Sequence, residues 1–431
     1  MSTPRTLVIS IDGFAAFYWR DPTVRIPTLR RLAERGVVAA GMETVFPSTT
    51  WPTHVSLVTG VAPSVHGVVG NHVLNRATGR AEDFTGDPIY DAADLIRTPT
   101  FYDRAHAAGL RTAAIDWPAT RHAASLDFNL PFFKDQAVFE AHTSPAVWRE
   151  LASLGYPMAR QGEWAQLPKR FLKDAMVADV AAHVLHRHAP DLLLVHFLCV
   201  DSLQHLYGPR SPEAYWAIEY VDERIARLLA ALPDLERTNV FVVSDHGFLP
   251  VAREIRPNVR LRKLGLLDVD REGRITRAEA RVVMNHGAAY AYVREGDGQA
   301  RTVRDVAAAL ATLPGVAGIW TGSEYAVLGL PTPAEHPRVG DLLLEAAEGY
   351  LFVDTASGED EETERPHHLG THGQRPGHPA LHAFFLAAGP GVRRGLELGV
   401  IRSRDVSPTI ASTLGLSMGS IDGRLLEEIL A

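Results

Sequence analysis

Cysteine is almost absent: Cys199 is the single one in 431 residues. No internal disulfide can form, which excludes the small secreted scaffolds that replace a core with cross-links. Long apolar runs are missing too. The longest, Leu192 to Val200, is interrupted by His196 and is about half a membrane span. Near the start, after Met1-Ser2-Thr3, the run Leu7-Val8-Ile9-Ser10-Ile11 is too short for the apolar core of a secretion signal, and no small-residue cleavage site follows. There is no basic excess: 43 Lys and Arg stand against 51 Asp and Glu, a net charge of −8, which disfavours a nucleic-acid coat or a basic membrane-surface protein. Repeats and low-complexity tracts are lacking as well. The expectation is a soluble cytoplasmic protein with a reduced thiol, without nucleic acid or membrane as a partner, and with a homo-oligomer left open.

What is present looks ordinary in bulk, with 46% apolar and 22% charged residues. The length allows two or three domains in series, or one large α/β sheet carrying an insertion. Short apolar runs end abruptly in a polar residue: Leu7–Ile11 at Asp12, Thr112–Ile115 at Asp116, Asp191–Val200 at Asp201, and Asn239–Val243 at Ser244-Asp245-His246. Helical patterns lie between them, at Pro27–Arg35, Pro99–Ala108, Lys173–Arg187 and Pro212–Leu232. This alternation predicts an α/β fold with a doubly wound, mostly parallel sheet and helices on both faces. From about Ile255 to Pro366 the rhythm breaks into a strand-like Val282–Val293, a helical Val303–Leu313, a strand-like Val316–Thr321 and a Pro-rich Pro331–Pro337. Strand pattern returns at Asp341–Phe352 and again at Leu381–Ala387, before a helical Ser407–Leu414. We read a core of residues 1–254 and 367–431 interrupted by an inserted α+β cap, 255–366, that selects substrate. Its acidic end, Glu359–Glu364, is expected to be a solvated linker.

The 19 histidines, set beside so many carboxylates, can supply metal ligands. In open α/β sheets ligands bind beyond the carboxyl ends of the strands, where Asp12, Asp201 and Asp245 fall. Asp201 and His205 stand four apart, so one helix face can present both to one ion. Asp245-His246-Gly247 follows a strand directly, and His372 sits in the loop Gly370-Thr371-His372-Gly373. Mixed carboxylate and imidazole donors suit Zn²⁺, with Mn²⁺ as the alternative. Three Asp and three His suffice for two ions. Thr50 lies just ahead of an apolar stretch with Pro52 early and Gly60 at its end, the start and stop signals of a helix. A hydroxyl at a helix N-terminus meets backbone N–H groups suited to a phosphoryl oxygen. It is a poor nucleophile until a base or a metal deprotonates it.

Taken together, these stretches resemble the alkaline phosphatase superfamily, most of all its nucleotide pyrophosphatase/phosphodiesterase branch. The resemblance is carried by Ile11-Asp12-Gly13-Phe14, Phe46-Pro47 through Thr50-Trp51-Pro52-Thr53-His54, Ser56-Leu57-Val58-Thr59-Gly60, Pro63, His66-Gly67 and Asn71. It continues with Asp201 to His205, Tyr207-Gly208-Pro209, Ser244-Asp245-His246-Gly247, Thr371-His372-Gly373 and Ala388-Gly389-Pro390-Gly391. It implies one zinc on Asp12, Thr50, Asp245 and His246, and a second on Asp201, His205 and His372. It further implies Thr50 as the nucleophile of a phosphothreonine route, and Asn71 as a ligand, with the Thr50 N–H, of a non-bridging phosphoryl oxygen. Trp51 occupies the position of an aromatic residue that stacks on a base in nucleotide-cleaving relatives; packing at a helix start is the alternative. Gln204 departs from the pattern, which often has a small residue there.

The substrate expected is a small-molecule phosphodiester or pyrophosphate of nucleotide type. Monoester phosphatases of the superfamily set an arginine against the doubly charged phosphoryl group, and no Arg follows Thr50 closely; Arg76 and Arg80 are the nearest downstream. A phosphonoacetate-type C–P hydrolase is the second reading, since Val69-Gly70-Asn71-His72, Gln204-His205 and Ser211-Pro212-Glu213-Ala214 resemble that branch. A phosphonate substrate needs cations for its carboxylate, and Leu126–Gln136 offers only Lys134. A non-catalytic binding protein on a hydrolase scaffold is the third, although none of the seven metal and nucleophile positions is lost. His54 and His66 are expected to brace the Thr50 loop, and Cys199 to be structural. His183, His186 and His188 read as a solvated or dipole-compensating group. His367 and His368 could support His372 or belong to the linker, while Tyr207, Tyr215 and Trp216 could line a pocket or pack helices.

Overall fold

The computed structural model describes residues 4–85 and 90–431; Met1-Ser2-Thr3, which open the N-terminal stretch considered above, lie outside the described residues. Two of its sheets are built from β1 (Arg5–Ile11), β2 (Gly36–Glu43), β3 (Thr112–Ile115), β4 (Phe128–Leu130), β5 (Leu192–Phe197), β6 (Thr238–Val243), β7 (Ala280–Asn285), β8 (Ala288–Val293), β9 (Val316–Thr321), β10 (Leu342–Ala346), β11 (Phe385–Ala388) and β12 (Leu396–Arg402). The larger is eight-stranded, in the order β12-β2-β11-β6-β1-β5-β3-β4. Every pairing in it is parallel except those of β11, which runs against β2 and β6.

Strand alternation explains why helices cover both faces. Leu7 and Ile9 of β1 enter one apolar cluster with Leu193 and Val195, packed beneath Val177 and Val180 of α2 (Arg170–Arg187) and Ile218 and Val221 of the helix Pro212–Ala231. Val8, between them, faces the opposite cluster with Leu194, Phe241 and Val243. There it meets Leu57 and Val58 of α1 (Thr50–Thr59) and Ile410 of the helix Val406–Thr413. The expected doubly wound, mostly parallel α/β sheet is the observed one.

Three sequence expectations need correction, two of them in the segments beside the site. The strand expected over Asp191–Val200 ends at Phe197, and α3 (Cys199–Tyr207) begins almost at once. The cause is Asp174, whose carboxylate accepts from the amides of Leu198 (3.0 and 3.1 Å) and Cys199 (2.8 Å) and so closes the first turn of α3. The acidic run Glu359–Glu364 is not a free solvated linker. Glu361 is bonded by Arg260 and Lys263, Arg253 holds both Glu362 and Glu364, and Glu362–Thr363 pairs antiparallel with the strand Leu249–Ile255. Its cations come from about a hundred residues earlier, which a run of like charge cannot reveal.

The middle of the chain supplies the antiparallel sheet β7-β8-β10-β9 and a helix, Gln299–Leu310. Val282–Val293 is therefore a hairpin rather than one strand, turning at His286-Gly287. One face of this sheet, with Tyr290 and Leu343, packs against Trp51, Val55 and Val68; the other, with Val282 and Leu344, packs against Val306 and Leu310. The strand Leu249–Ile255 also pairs with Gly349–Phe352 and Gly370–Thr371, tying both ends of the middle region together. Among the described residues no helix is long and apolar enough to cross a membrane.

Candidate functional site

The candidate side chains leave strand ends, the loops beyond them, or the first turns of the helices α1 and α3. Asp12 follows β1, its amide donating to Phe197 O (2.9 Å) at the end of β5. Asp245 and His246 follow β6, and Asp201 and His205 project from one face of α3. His372 follows the two-residue strand Gly370–Thr371. Thr50 is the first residue of α1, whose stop is Gly60 in the left-handed region (φ 76°). These elements converge. His246 Nε2 lies 3.4 Å from Asp12 Oδ1 and 3.4 Å from Asp245 Oδ2. His205 Nε2 and His372 Nε2 lie 3.1 and 3.8 Å from Asp201 Oδ1.

The hydrogen bonds set the tautomer of every candidate imidazole. His205 Nδ1 faces Gly370 O (2.9 Å), His372 Nδ1 faces Ser48 O (2.9 Å) and His246 Nδ1 faces Gly247 O (3.2 Å). A carbonyl only accepts, so each Nδ1 carries the proton and each Nε2 keeps a lone pair for an ion. The carboxylates are prepared in the same way. Gly13 N–H donates to Asp245 Oδ1 (3.0 Å), leaving Oδ2. Among the described residues Asp12 Oδ1, Asp245 Oδ2 and His246 Nε2 are buried without a hydrogen-bond partner, and all three lie within 4.8 Å of one another. Buried polar atoms without partners are costly, and a bound cation would satisfy all three together.

Electrostatics point the same way. Burial, then repulsion from Asp245 and Asp201, holds the Asp12 carboxyl well above the usual carboxylate range. Burial works against an ionised Asp201 as well, but facing His205, then His372 and His246, bring it below that range. Burial, then the neighbouring His246 and His205, pushes the His372 imidazole well below its ordinary value, keeping it neutral. A pocket that gathers three carboxylates and imidazole nitrogens at this spacing is a cation site.

Thr50, Asn71 and Trp51 line one cavity of about 290 Å³ with Asp12, Asp201, His205 and His372. Trp51 N–H donates to Asn71 Oδ1 (2.9 Å), which fixes the carboxamide so that its NH₂ end is left for the cavity. The Trp51 indole itself is 2% exposed and meets Phe132 edge-on. His54 Nδ1 donates to Thr50 O (2.9 Å) and His54 Nε2 accepts from Ser10 Oγ (2.9 Å); His66 bonds Ser56 Oγ (2.9 Å). Cys199 is buried, and burial pushes its thiol pKa well up, as befits a structural residue. His183 and His188 both bond Glu150 Oε1 (2.7 Å each). Tyr207, Tyr215 and Trp216 are not among the residues lining the cavity; Tyr215 bonds Asp21 and the other two are exposed.

The structure adds residues that sequence reasoning missed. Asn285, at the end of β7, accepts from the amides of Asn71 (2.8 Å) and His72 (3.0 Å) and donates to His72 O (2.8 Å). His286 follows in the left-handed region (φ 61°) and stacks on His205, ring centroids 4.8 Å apart; His368 lies as close on another side. Arg170 lines the same cavity, beside Lys134, the one cation that the sequence offered there. Beneath it, Lys173 bonds Asp116 (2.8 Å), both are buried, and burial pushes each toward its neutral form. Two signals were available: the turn dipeptide His286-Gly287 inside a strand-like run, and Lys173-Asp174 in an otherwise apolar helical stripe. For Arg170 and Asn285 there was none.

Residues 6–375 match the family of type I phosphodiesterases / nucleotide pyrophosphatases. The chain belongs to that family. Among its relatives, an uncharacterized pyrophosphatase/phosphodiesterase of Schizosaccharomyces pombe is 29% identical over 57% of the chain and 45% of its own length. The bis(5'-adenosyl)-triphosphatase ENPP4 of Bos taurus is 24% identical over 96% of the chain and 79% of its own. The chain thus spans less than half of the first relative. The same fold is seen in murine ectonucleotide pyrophosphatase / phosphodiesterase 5, solved as an inactive threonine-to-alanine form in complex with AMP (TM-score 0.74, 21% identity, covering 99% of this chain and all of that one).

Proposed function

We propose that this chain is a two-metal phosphoesterase that cleaves a phosphodiester or pyrophosphate bond of a nucleotide-type substrate, with Thr50 as nucleophile. One observation carries the reading: three partnerless buried ligand atoms, on Asp12, Asp245 and His246, clustered beside a threonine at a helix N-terminus. The donor set fits two divalent cations, zinc by its mix of carboxylate and imidazole, on Asp12, Thr50, Asp245 and His246 and on Asp201, His205 and His372. Bound there, they would supply charge stabilisation and a lowered hydroxyl pKa.

The chain's own residues do the rest. Thr50 Oγ1 attacks phosphorus and forms a phosphothreonine as the leaving oxygen departs, and water then releases the phosphoryl product. The free NH₂ of Asn71 and the Thr50 amide hold a non-bridging oxygen. His54, bonded to Thr50 O, keeps the first turn of α1 in place. Residues 255–366 act as a cap that selects substrate, delivering Asn285 and His286 to the site. The name of the bovine relative and the AMP complex of the murine one support a nucleotide-type substrate, and the lone buried thiol supports a reducing, cytoplasmic setting. A second reading, C–P hydrolysis of a phosphonoacetate-like substrate, is favoured by Lys134 lining the cavity.

Thr50→Ala tests the assignment with an aryl nucleotide diester as substrate. The variant is expected to lose turnover even in a preparation loaded with metal to the wild-type content. Retained activity in a metal-replete preparation would sink the nucleophile assignment.

A further inference from the structure

Arg170 sits where the immediate sequence around Thr50 offers no cation. It is the first residue of α2 and reaches the cavity that Thr50 and Asn71 line. Its guanidinium is anchored on both flanks: Nε donates to Ala165 O (3.0 Å) on one side, and on the other Nη1 donates to Ser202 Oγ (3.2 Å) and lies 3.5 Å from Asp201 Oδ2. Nη2, at the tip between them, has no acceptor among the described residues. The side chain is 11% exposed, so this unused tip is held in a largely dehydrated wall rather than on a mobile arm. Arg76, one of the two arginines nearest after Thr50, is instead tied to Pro337 O, Val339 O and Asp341.

Charge then suggests what this tip is for. A diester phosphoryl group carries one negative charge, whereas a terminal phosphoryl group carries two. Guanidinium N–H donors complement the extra charge far better than a neutral wall does.

We propose that Arg170 gives this site a phosphomonoesterase activity, its Nη2 N–H group binding a non-bridging oxygen of a dianionic terminal phosphoryl group. This rests on the Thr50 reading above. Thr50 Oγ1 forms a bond to phosphorus, the ester P–O bond breaks, and the alcohol leaves with the proton lost by Thr50. Water then cleaves the Thr50 phosphoester, returning a proton to Thr50 and releasing inorganic phosphate.

The test compares Arg170→Gln and Arg170→Lys with wild type on an aryl phosphate monoester and an aryl nucleotide diester. Alongside, binding of inorganic phosphate and of dimethyl phosphate is titrated and metal content is measured. Loss of one charge-assisted hydrogen bond should lower monoester kcat/KM and phosphate affinity by roughly 10- to 150-fold in Arg170→Gln, while diester kcat/KM and dimethyl phosphate affinity fall by a factor at least about five times smaller. Arg170→Lys should fall between. A parallel fall on both substrates, or a loss of metal, would overturn the proposal and make Arg170 only a partner of Asp201. A wild type that cleaves the diester but neither hydrolyses the monoester nor binds phosphate also overturns it, and leaves the Thr50 reading standing. A wild type inactive on both, matched by Thr50→Ala, overturns that reading as well.

Discussion

Asn285→Ala isolates the link between the middle sheet and the Asn71 loop. Asn285 is fully buried and makes three hydrogen bonds of 2.8 to 3.0 Å to the main chain of Asn71 and His72. At about 1 kcal/mol per neutral bond their loss costs about 3 kcal/mol. The void cannot close cheaply: the neighbour is Gly70, whose position leaves a Cβ only 2.8 Å from Asn285 Oδ1 in the native packing, so no side chain is there to relax into it. Hydrogen exchange is the direct assay. Protection of the Asn71 and His72 amides should fall by roughly 100-fold, the factor that 3 kcal/mol represents. Activity should fall as well, because Asn71 is positioned by this loop. Asn285→Asp keeps both accepting contacts and sets a carboxylate against His72 O, so it should be damaged less in exchange than the alanine variant. Unchanged protection and unchanged kcat/KM in Asn285→Ala would refute the reasoning.

Acid stability carries a second expectation. His66 is buried, its Nε2 lies 2.9 Å from Ser56 Oγ and its Nδ1 accepts from Val68 N–H (3.1 Å), so burial pushes its pKa down to about 3. The unfolded chain takes up that proton near its ordinary pKa of about 6.5, so the stability held above that pH is lost as pH falls toward 3. By pH 5 the loss is about 2 kcal/mol from this residue. Denaturation midpoints at pH 7.5 and 5 should therefore converge in His66→Gln; an unaltered pH slope would count against it. Gly373 lies at φ 107°, and an added Cβ would meet Asn285 O at 2.3 Å. Gly373→Ala should cost about 3 kcal/mol or more and displace His372, lowering thermal stability and metal content together; a wild-type melting curve would contradict this.

Why some of the site was legible is itself physical. Asp12 and Asp245 stand just beyond strands that stop, and a strand end is a local event that four or five residues announce. The Asp201–His205 pair needs only the helical repeat. Gly60 and Gly373 mark a helix stop and a tight loop through their own backbone freedom. Arg170 and Asn285 announce nothing, because their roles arise from neighbours far along the chain: Asn285 and Asn71 are 214 positions apart. The end of β5 was misplaced for the same reason, since the carboxylate that terminates it belongs to Asp174. Likewise, the acidic run Glu359–Glu364 is only half of a charge pattern whose other half is Arg253, Arg260 and Lys263.

The imidazoles of His205, His246 and His372 are oriented by the carbonyls of Gly370, Gly247 and Ser48. Every amino acid carries a carbonyl, so the aim of each ring is inherited from the path of the chain rather than from the identity of a supporting side chain. In a deep mutational scan, the supporting positions should tolerate or reject substitutions according to space alone. Gly247 and Gly370 have none to spare, with main-chain oxygens 2.1 and 2.4 Å from an added Cβ. Ser48 is the exception: its hydroxyl donates to Gln374 O (2.6 Å) and accepts from Gly373 N–H (3.2 Å), so its tolerance also reports on the loop that carries His372.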